Sequence, residues 1–410
     1  MTGERPAVDR GFERTVERLH DQVEDGVFSP GAQMAVELRG ERVLELAVGE
    51  TGTGTTMTPE HVFRVYCSIK PVTAVAIQQL VEQRALALDE PLEARLPDLR
   101  VLQGGVTLRH VMTHTAALHR PMAVEMELTP ADRRRAVIAT LKRPPGWRLG
   151  ADAAYSEYVG WQVLGWVIEQ ATGDELRAHL REHVLDPMGL SSTWVGMTRD
   201  EYRAVLDRLG VNVEMRTKTL PMLFERSERV CTETNPSHGG YTNARDLARF
   251  YSGLLERLAA LAPPDPDDAE DPDEPADDVS LRAFTSVVRP AVYDEVLQRE
   301  CTYGLGFMTR LREHAFGERC SETAFGHSGN VGTSFAFADP ERSLSVGVVF
   351  NGLVGHEAAF LRRRALVNTL YEDLDALDAT ADVAGDDADG PRARAPRRFS
   401  LRRRGTSRGS

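Results

Sequence analysis

Apolar positions along the chain recur with two periods, and the change between them outlines the fold. Residues 10–27 carry them at helical spacing. GAQMAVELRGERVLELAVGE (31–50) reads as two strands joined at Arg39-Gly40-Glu41. In FRVYCSIKPVTAVAIQQLVEQ a helix opens at Cys67 and runs to about Gln83. LALDEPLEARLPDL follows, then a short helix LRHVMTHTAAL (108–118) and two strongly helical stretches, TPADRRRAVIATLK and YVGWQVLGWVIEQATG. HGGYTNARDLARFYSGLLERL (238–258) is a further helix, after which YGLGFMTRL, AFGHSG, TSFAFADP and LSVGVVFNG read as strands. HEAAFLRRRALVNTLYEDL closes the pattern as a helix. Strands at both ends with helices between predict an α+β fold: one antiparallel sheet assembled from the two ends, flanked by helices, with an all-helical region inserted over about 85–235. A cleft is expected where sheet and insertion meet.

At 410 residues the chain is long enough for a large core. One domain is expected over 1–375, with a tail at 376–410. The net charge of −13 is unevenly spread, because PPDPDDAEDPDEPADD (263–278) holds nine acidic residues among prolines without apolar periodicity. That run reads as a disordered surface insertion. The tail is acidic, then basic, ending PRARAPRRFSLRRRGTSRGS. With no folded recognition module beside it, it reads as solvated, and no nucleic-acid partner is expected. Apolar runs fall short of the ~20 residues that span a bilayer, and MTGERPAVDRGFERTVERLHDQVEDG lacks the apolar core of a secretory signal. A cytoplasmic location without membrane attachment is expected. The four cysteines (Cys67, Cys231, Cys301, Cys320) are scattered, as free thiols in a reducing compartment would be.

Of the 49 basic residues only Lys70, Lys142 and Lys218 are lysines. Lys70 stands three residues after Cys67, an offset that places both side chains on one helical face. Lysine with a lowered pKa can act as a base, which arginine cannot. Two readings are open: a thiol nucleophile with its base, or a small buried residue beside an ordinary charge. Ser68, about 100° further around the helix, should point away from Lys70. His110, His114 and His119 lack a carboxylate or fourth ligand and read as structural, so no metal is expected. Gly239-Gly240 and Gly304-x-Gly306 open no helix after a strand, so they are not phosphate loops and no cofactor is expected.

Three stretches in order, Cys67-Ser68-Ile69-Lys70, Tyr155-Ser156-Glu157 and His327-Ser328-Gly329, resemble the signatures Ser-x-x-Lys, Tyr-x-Asn and Lys/His-x-Gly of the class C β-lactamases, DD-peptidases and related esterases and transacylases. PGWRLGADAAYSEYVGWQVLGWVIEQATG, LDPMGLSSTWVG and GHSGNVGTSFAFADPERSLSVGVVFNG continue the resemblance, which covers roughly residues 10–373. It implies a β-lactamase/transpeptidase-like fold and acyl-enzyme chemistry on an ester, thioester or amide. Two positions depart from the pattern: Cys67 stands where the family has its nucleophilic serine, and Glu157 where it has asparagine. The resemblance implies Cys67 as nucleophile, Lys70 as its base or ion-pair partner, Tyr155 as proton relay and His327 as a substrate-carboxylate or proton-transfer group. Glu157, Ser328, Gly329 and Asn330 would contact substrate, with the backbone N–H groups of Cys67 and Asn330 holding an oxyanion. Glu157 is also placed to neutralise Lys70. The expected partners are a small-molecule acyl donor and an amine, alcohol or water as acceptor; the alternative is an inactive binding protein on the same scaffold.

Overall fold

The computed structural model describes residues 11–25, 28–102, 104–119, 129–217, 219–261 and 280–388. The acidic run at 263–278 and the basic part of the tail lie outside them.

The two N-terminal strands form as expected, β1 (Gly31–Leu38) and β2 (Glu41–Gly49). Their turn, Arg39-Gly40, has φ of 55° and 82°, the left-handed pair that matches a hairpin's twist. Six C-terminal strands complete the sheet: β3 (Arg289–Asp294), β4 (Arg299–Tyr303), β5 (Met308–Thr309), β6 (Phe325–Ser328), β7 (Ser334–Asp339) and β8 (Leu344–Phe350). The order is β2-β1-β8-β7-β6-β5-β4-β3, with every neighbouring pair antiparallel. The sheet is therefore built from both ends of the chain. Strand β8 is buried along its whole length because helices cover both faces.

On one face lie α1 (Glu13–Glu24) and the last helix, α5 (His356–Ala388), whose Leu19, Val23, Leu366 and Leu370 join Phe335, Phe337 and Val346 in one apolar cluster. Thr15 ties the two helices, giving its N–H and hydroxyl to Asp373 at 2.8 Å each. The other face carries α2 (Lys70–Glu82), α3 (Val159–Thr172) and α4 (Ala244–Ala260). Helix α2 is buried on nearly every side, in keeping with the apolar residues that recur all round it. Gly347 lets α4 lie on the sheet, since a Cβ there would stand 2.2 Å from the Ala244 carbonyl oxygen.

Three expectations are corrected, and one strand is added. The helix expected over 108–118 ends at Met112, where His114 and Ala117 take left-handed φ of 60° and 62°. The helix expected from 238 starts at Ala244, because the Asn243 side chain caps it by accepting the Asp246 N–H; Gly240–Thr242 is a strand instead. Strand β3, mostly exposed at the sheet edge, carries no alternation and was not anticipated. The final helix continues through Ala388, past the tail boundary at 376, and Arg342 holds its acidic face through Asp375 and Asp378.

Candidate active site

A two-residue strand, Phe63-Arg64, pairs with Tyr241-Thr242, and the Val65 N–H reaches the Gly240 carbonyl at 2.9 Å. The next residue, Tyr66, sits at φ 50°, a left-handed conformation that costs a non-glycine residue about 1–3 kcal/mol and persists only where its surroundings hold it. Here the hold is Glu225. One carboxylate oxygen accepts the Tyr66 hydroxyl at 2.5 Å, and the other takes the N–H and side-chain amide of Asn212 at 2.9 and 3.0 Å. Burial pushes the Glu225 carboxyl pKa up, against these hydrogen bonds. The elbow leads into a 3₁₀ turn, Tyr66–Ile69, that presents Cys67 to the cleft at the head of α2. Ser68 points the other way, as expected, and accepts the Ser334 hydroxyl at 2.8 Å.

Lys70 is fully buried, with Nζ 3.0 Å from Cys67 Sγ. Nζ also donates to the backbone carbonyls of Glu157 (2.7 Å) and Ser237 (2.8 Å). Two N–H bonds are thus committed to oxygens that can only accept. The third direction, toward Sγ, holds either an ammonium N–H facing a thiolate or an amine lone pair facing a thiol. One proton is shared between sulfur and nitrogen. Burial lowers the Lys70 pKa and favours passing that proton on, while the neighbouring Cys67 opposes the shift. Glu157 meets Lys70 through its backbone carbonyl, so the ion pair expected from its carboxylate does not form; that side chain is exposed along the cleft.

Tyr155 is buried with its ring 5.3 Å from Lys70 Nζ and its side chain beside that of Cys67. Burial, then the neighbouring thiol, pushes its pKa well up, so the phenol holds its proton at neutral pH. Asp294 positions it: one carboxylate oxygen accepts the N–H groups of Tyr155, Val296 and Leu297 at 2.9, 3.0 and 3.0 Å. Arg289 pairs with the other oxygen at 3.3 Å, both side chains being buried. His114 packs 4.6 Å from the Tyr155 ring and accepts the Ser156 N–H through Nδ1.

His327 lies on β6 with its ring 6.2 Å from that of Tyr155. It is fully buried, its pKa is held well below the usual range by burial and then by Lys70, and its Nε2 has no protein partner. His327 is therefore neutral. Ser328, Gly329 and Asn330 line the cleft beside Cys67. Among the described residues no acceptor engages the backbone N–H of Cys67 or of Asn330. The cleft measures about 630 Å³. The eight residues singled out from the sequence thus gather around it, seven at its lining or hydrogen-bonded to it and His327 behind Tyr155.

The three histidines near residue 114 have separate partners: His110 Nδ1 meets Thr107 at the helix start, His114 serves Ser156 and His119 stacks on Trp147. Among the described residues the grouping of metal-ligand type is Asp174, His179 and His183, none of which lines the cleft. Sequence reasoning missed Glu225, Ser237 and Asp294. No local signal marks them, since each acts on a residue far away in the chain.

A family model described as Beta-lactamase matches residues 18–371. Among curated relatives, Esterase EstB of Burkholderia gladioli is 29% identical over 180 residues, which is 39% of this chain and 45% of that protein. The chain thus spans about half the length of such relatives. Among solved structures, a penicillin-binding protein homolog from Caulobacter crescentus superposes with a TM-score of 0.69 at 23% identity, over 88% of this chain and 98% of that one. EstCE1, a hydrolase with promiscuous acyltransferase activity, gives 0.67 at 19% identity, over 88% and 99%.

Proposed function

The chain belongs to the beta-lactamase family, and from that premise we propose that it is an acyl-transfer enzyme working through a thioester on Cys67. The observation that carries the reading is the 3.0 Å contact of Sγ with Lys70 Nζ, whose other two donors are fixed by the Glu157 and Ser237 carbonyls. Lys70 takes the thiol proton and holds the resulting thiolate as an ion pair. Sulfur attacks the carbonyl carbon of an ester, thioester or amide, and the oxyanion lies between the N–H groups of Cys67 and Asn330. As the tetrahedral centre collapses, the bond to the leaving group breaks and that group takes the Tyr155 proton. Water, an amine or an alcohol then gives its proton to the Tyr155 oxygen and adds to the thioester, releasing the acyl product and restoring the thiolate. Ser328 and Gly329 border the substrate, and neutral His327 supports Tyr155. The four free thiols suit a reducing compartment, so we place the reaction in the cytoplasm.

Intact-protein mass spectrometry after incubation with activated esters, thioesters and a β-lactam tests this. A gain of one acyl group in the wild type, absent in Cys67→Ala, is the expected result, with Cys67→Ser showing whether sulfur is needed. The second reading, a binding protein, is favoured by the Glu157 carboxylate in the cleft. It predicts no adduct with any reagent and the same slow alkylation at all four cysteines.

A further inference from the structure

We propose that the acyl donor carries a carboxylate at the end of its acyl chain, which pairs with the guanidinium groups of Arg299 and Arg363 beside Phe360. This rests on the Cys67 reading and names the substrate class for it.

The chain as a whole carries −13, yet its cleft is lined by Arg299, Arg363 and His356 with Glu157 as the sole acidic side chain among the described lining residues. Arg299 comes from β4 and Arg363 from α5, so this wall is separate from the segments that carry Cys67, Lys70 and Tyr155. The two guanidinium groups share one aromatic ring, at 4.3 and 5.5 Å from the Phe360 centroid. Arg363 is 3% exposed and gives Nε and Nη2 to the Ala315 and His314 carbonyls at 3.0 and 2.5 Å. Arg299 gives Nη1 to the Glu313 carbonyl at 3.4 Å. Among the described residues no carboxylate pairs with either, whereas neighbouring Arg312 does pair, with Glu322 at 3.2 Å. Glu313, the acid next to this wall, turns a carboxylate oxygen to the Thr302 N–H instead, at 2.7 Å.

Two close, like charges facing an enclosed cleft repel each other, and burial together with Arg299 brings the Arg363 pKa down to about 9. Arg363 still carries its charge at neutral pH. An anion between them offsets the repulsion and finds planar donors matched to a carboxylate. The backbone carbonyls account for Arg363 as a strut, but they leave Arg299 with one long contact and a face open to the cleft.

The test compares acylation of Cys67 by the 4-nitrophenyl monoester of glutaric acid with that by 4-nitrophenyl pentanoate, a neutral chain of equal length, followed by mass spectrometry. The wild type is expected to prefer the glutaryl ester by about tenfold or more, the range of one charge-assisted hydrogen bond. Arg299→Gln, at a partly exposed position, is expected to bring the ratio to within about twofold, with the glutaryl rate falling far more than the pentanoyl rate. Equal rates in the wild type, or a preference that survives Arg299→Gln, overturn the proposal. Should neither ester label Cys67, the acyl-transfer reading fails on its own. The anion site is then decided by calorimetry with glutaric acid monoamide against pentanamide. Tighter binding of the monoamide that Arg299→Gln removes supports the site, and equal binding overturns it.

Discussion

At the scale of single residues the site depends on how differently this protein treats its four thiols. Burial pushes Cys231 and Cys301 up to about 11 and Cys320 up to about 12, so their thiolates are scarce at neutral pH, whereas Cys67 is half-buried beside Lys70. Iodoacetamide at pH 7 is therefore expected to label Cys67 and spare the others, as peptide mapping would show. Lys70→Met keeps the apolar stem and removes the proton acceptor; it should slow that labelling at least about tenfold. Tyr155→Phe should cut acyl transfer about a hundredfold while leaving Cys67 alkylation near its original rate, because alkylation needs no proton for a leaving group. The Cys67–Lys70 pair was legible in the sequence because three residues of helical geometry suffice to join it. Tyr155 and His327 were legible only through the family's motif order. Glu225 and Asp294 were not legible at all: each reaches its target, Tyr66 or Tyr155, across 159 and 139 residues, and no local pattern encodes such a pairing.

Among elements, the β3–β4 hairpin has the largest consequence for the chemistry. Asp294 gathers the hairpin's N–H groups and the Tyr155 N–H on one oxygen, so the loop over the cleft and the proton donor share an anchor. Asp294→Ala would leave Arg289 buried without its counter-charge, a loss of about 3–5 kcal/mol. A lowered denaturant midpoint should accompany reduced transfer, while Asp294→Asn, which keeps an acceptor for the N–H groups, should recover part of the activity. The hairpin also shows the limit of pattern reading. Central strands such as β8 announce themselves by nearly continuous apolar runs, but an edge strand like β3 is held by backbone pairing and one buried ion pair, and its side chains follow no alternation. Helix starts were misplaced for a related reason: Asn243 and the left-handed His114 decide where α4 begins and where the 108–112 helix ends, and both act through backbone hydrogen bonds rather than through burial.

Across the whole molecule, His114, His238, His314 and His327 carry the largest shifts among the described histidines: His114, His238 and His327 are held well below the usual range by burial first, and His314 is brought down to about 3. In the unfolded chain each takes a proton near its ordinary value of 6.5. Below that pH the unfolded state binds more protons, so stability is full above about 6.5 and falls as pH decreases toward the folded values. Thermal melts should show a level midpoint from pH 8 to about 6.5 and a declining one from there to pH 5, and all four of these histidines lie beside the cleft or its tyrosine. The fold class was readable because both chain ends carry strands and the middle helices; among the described residues no helix is long and apolar enough to cross a membrane. Lys70 also has a meaning beyond proton transfer. Its Nζ is a three-way tether, joining the nucleophile's turn to the 157 and 237 segments of the helical region. A descendant that abandoned catalysis would still need that knot to keep its two halves in register, and would shed the thiol long before the amine. The same amine thus holds the architecture together and faces the sulfur that would do the chemistry.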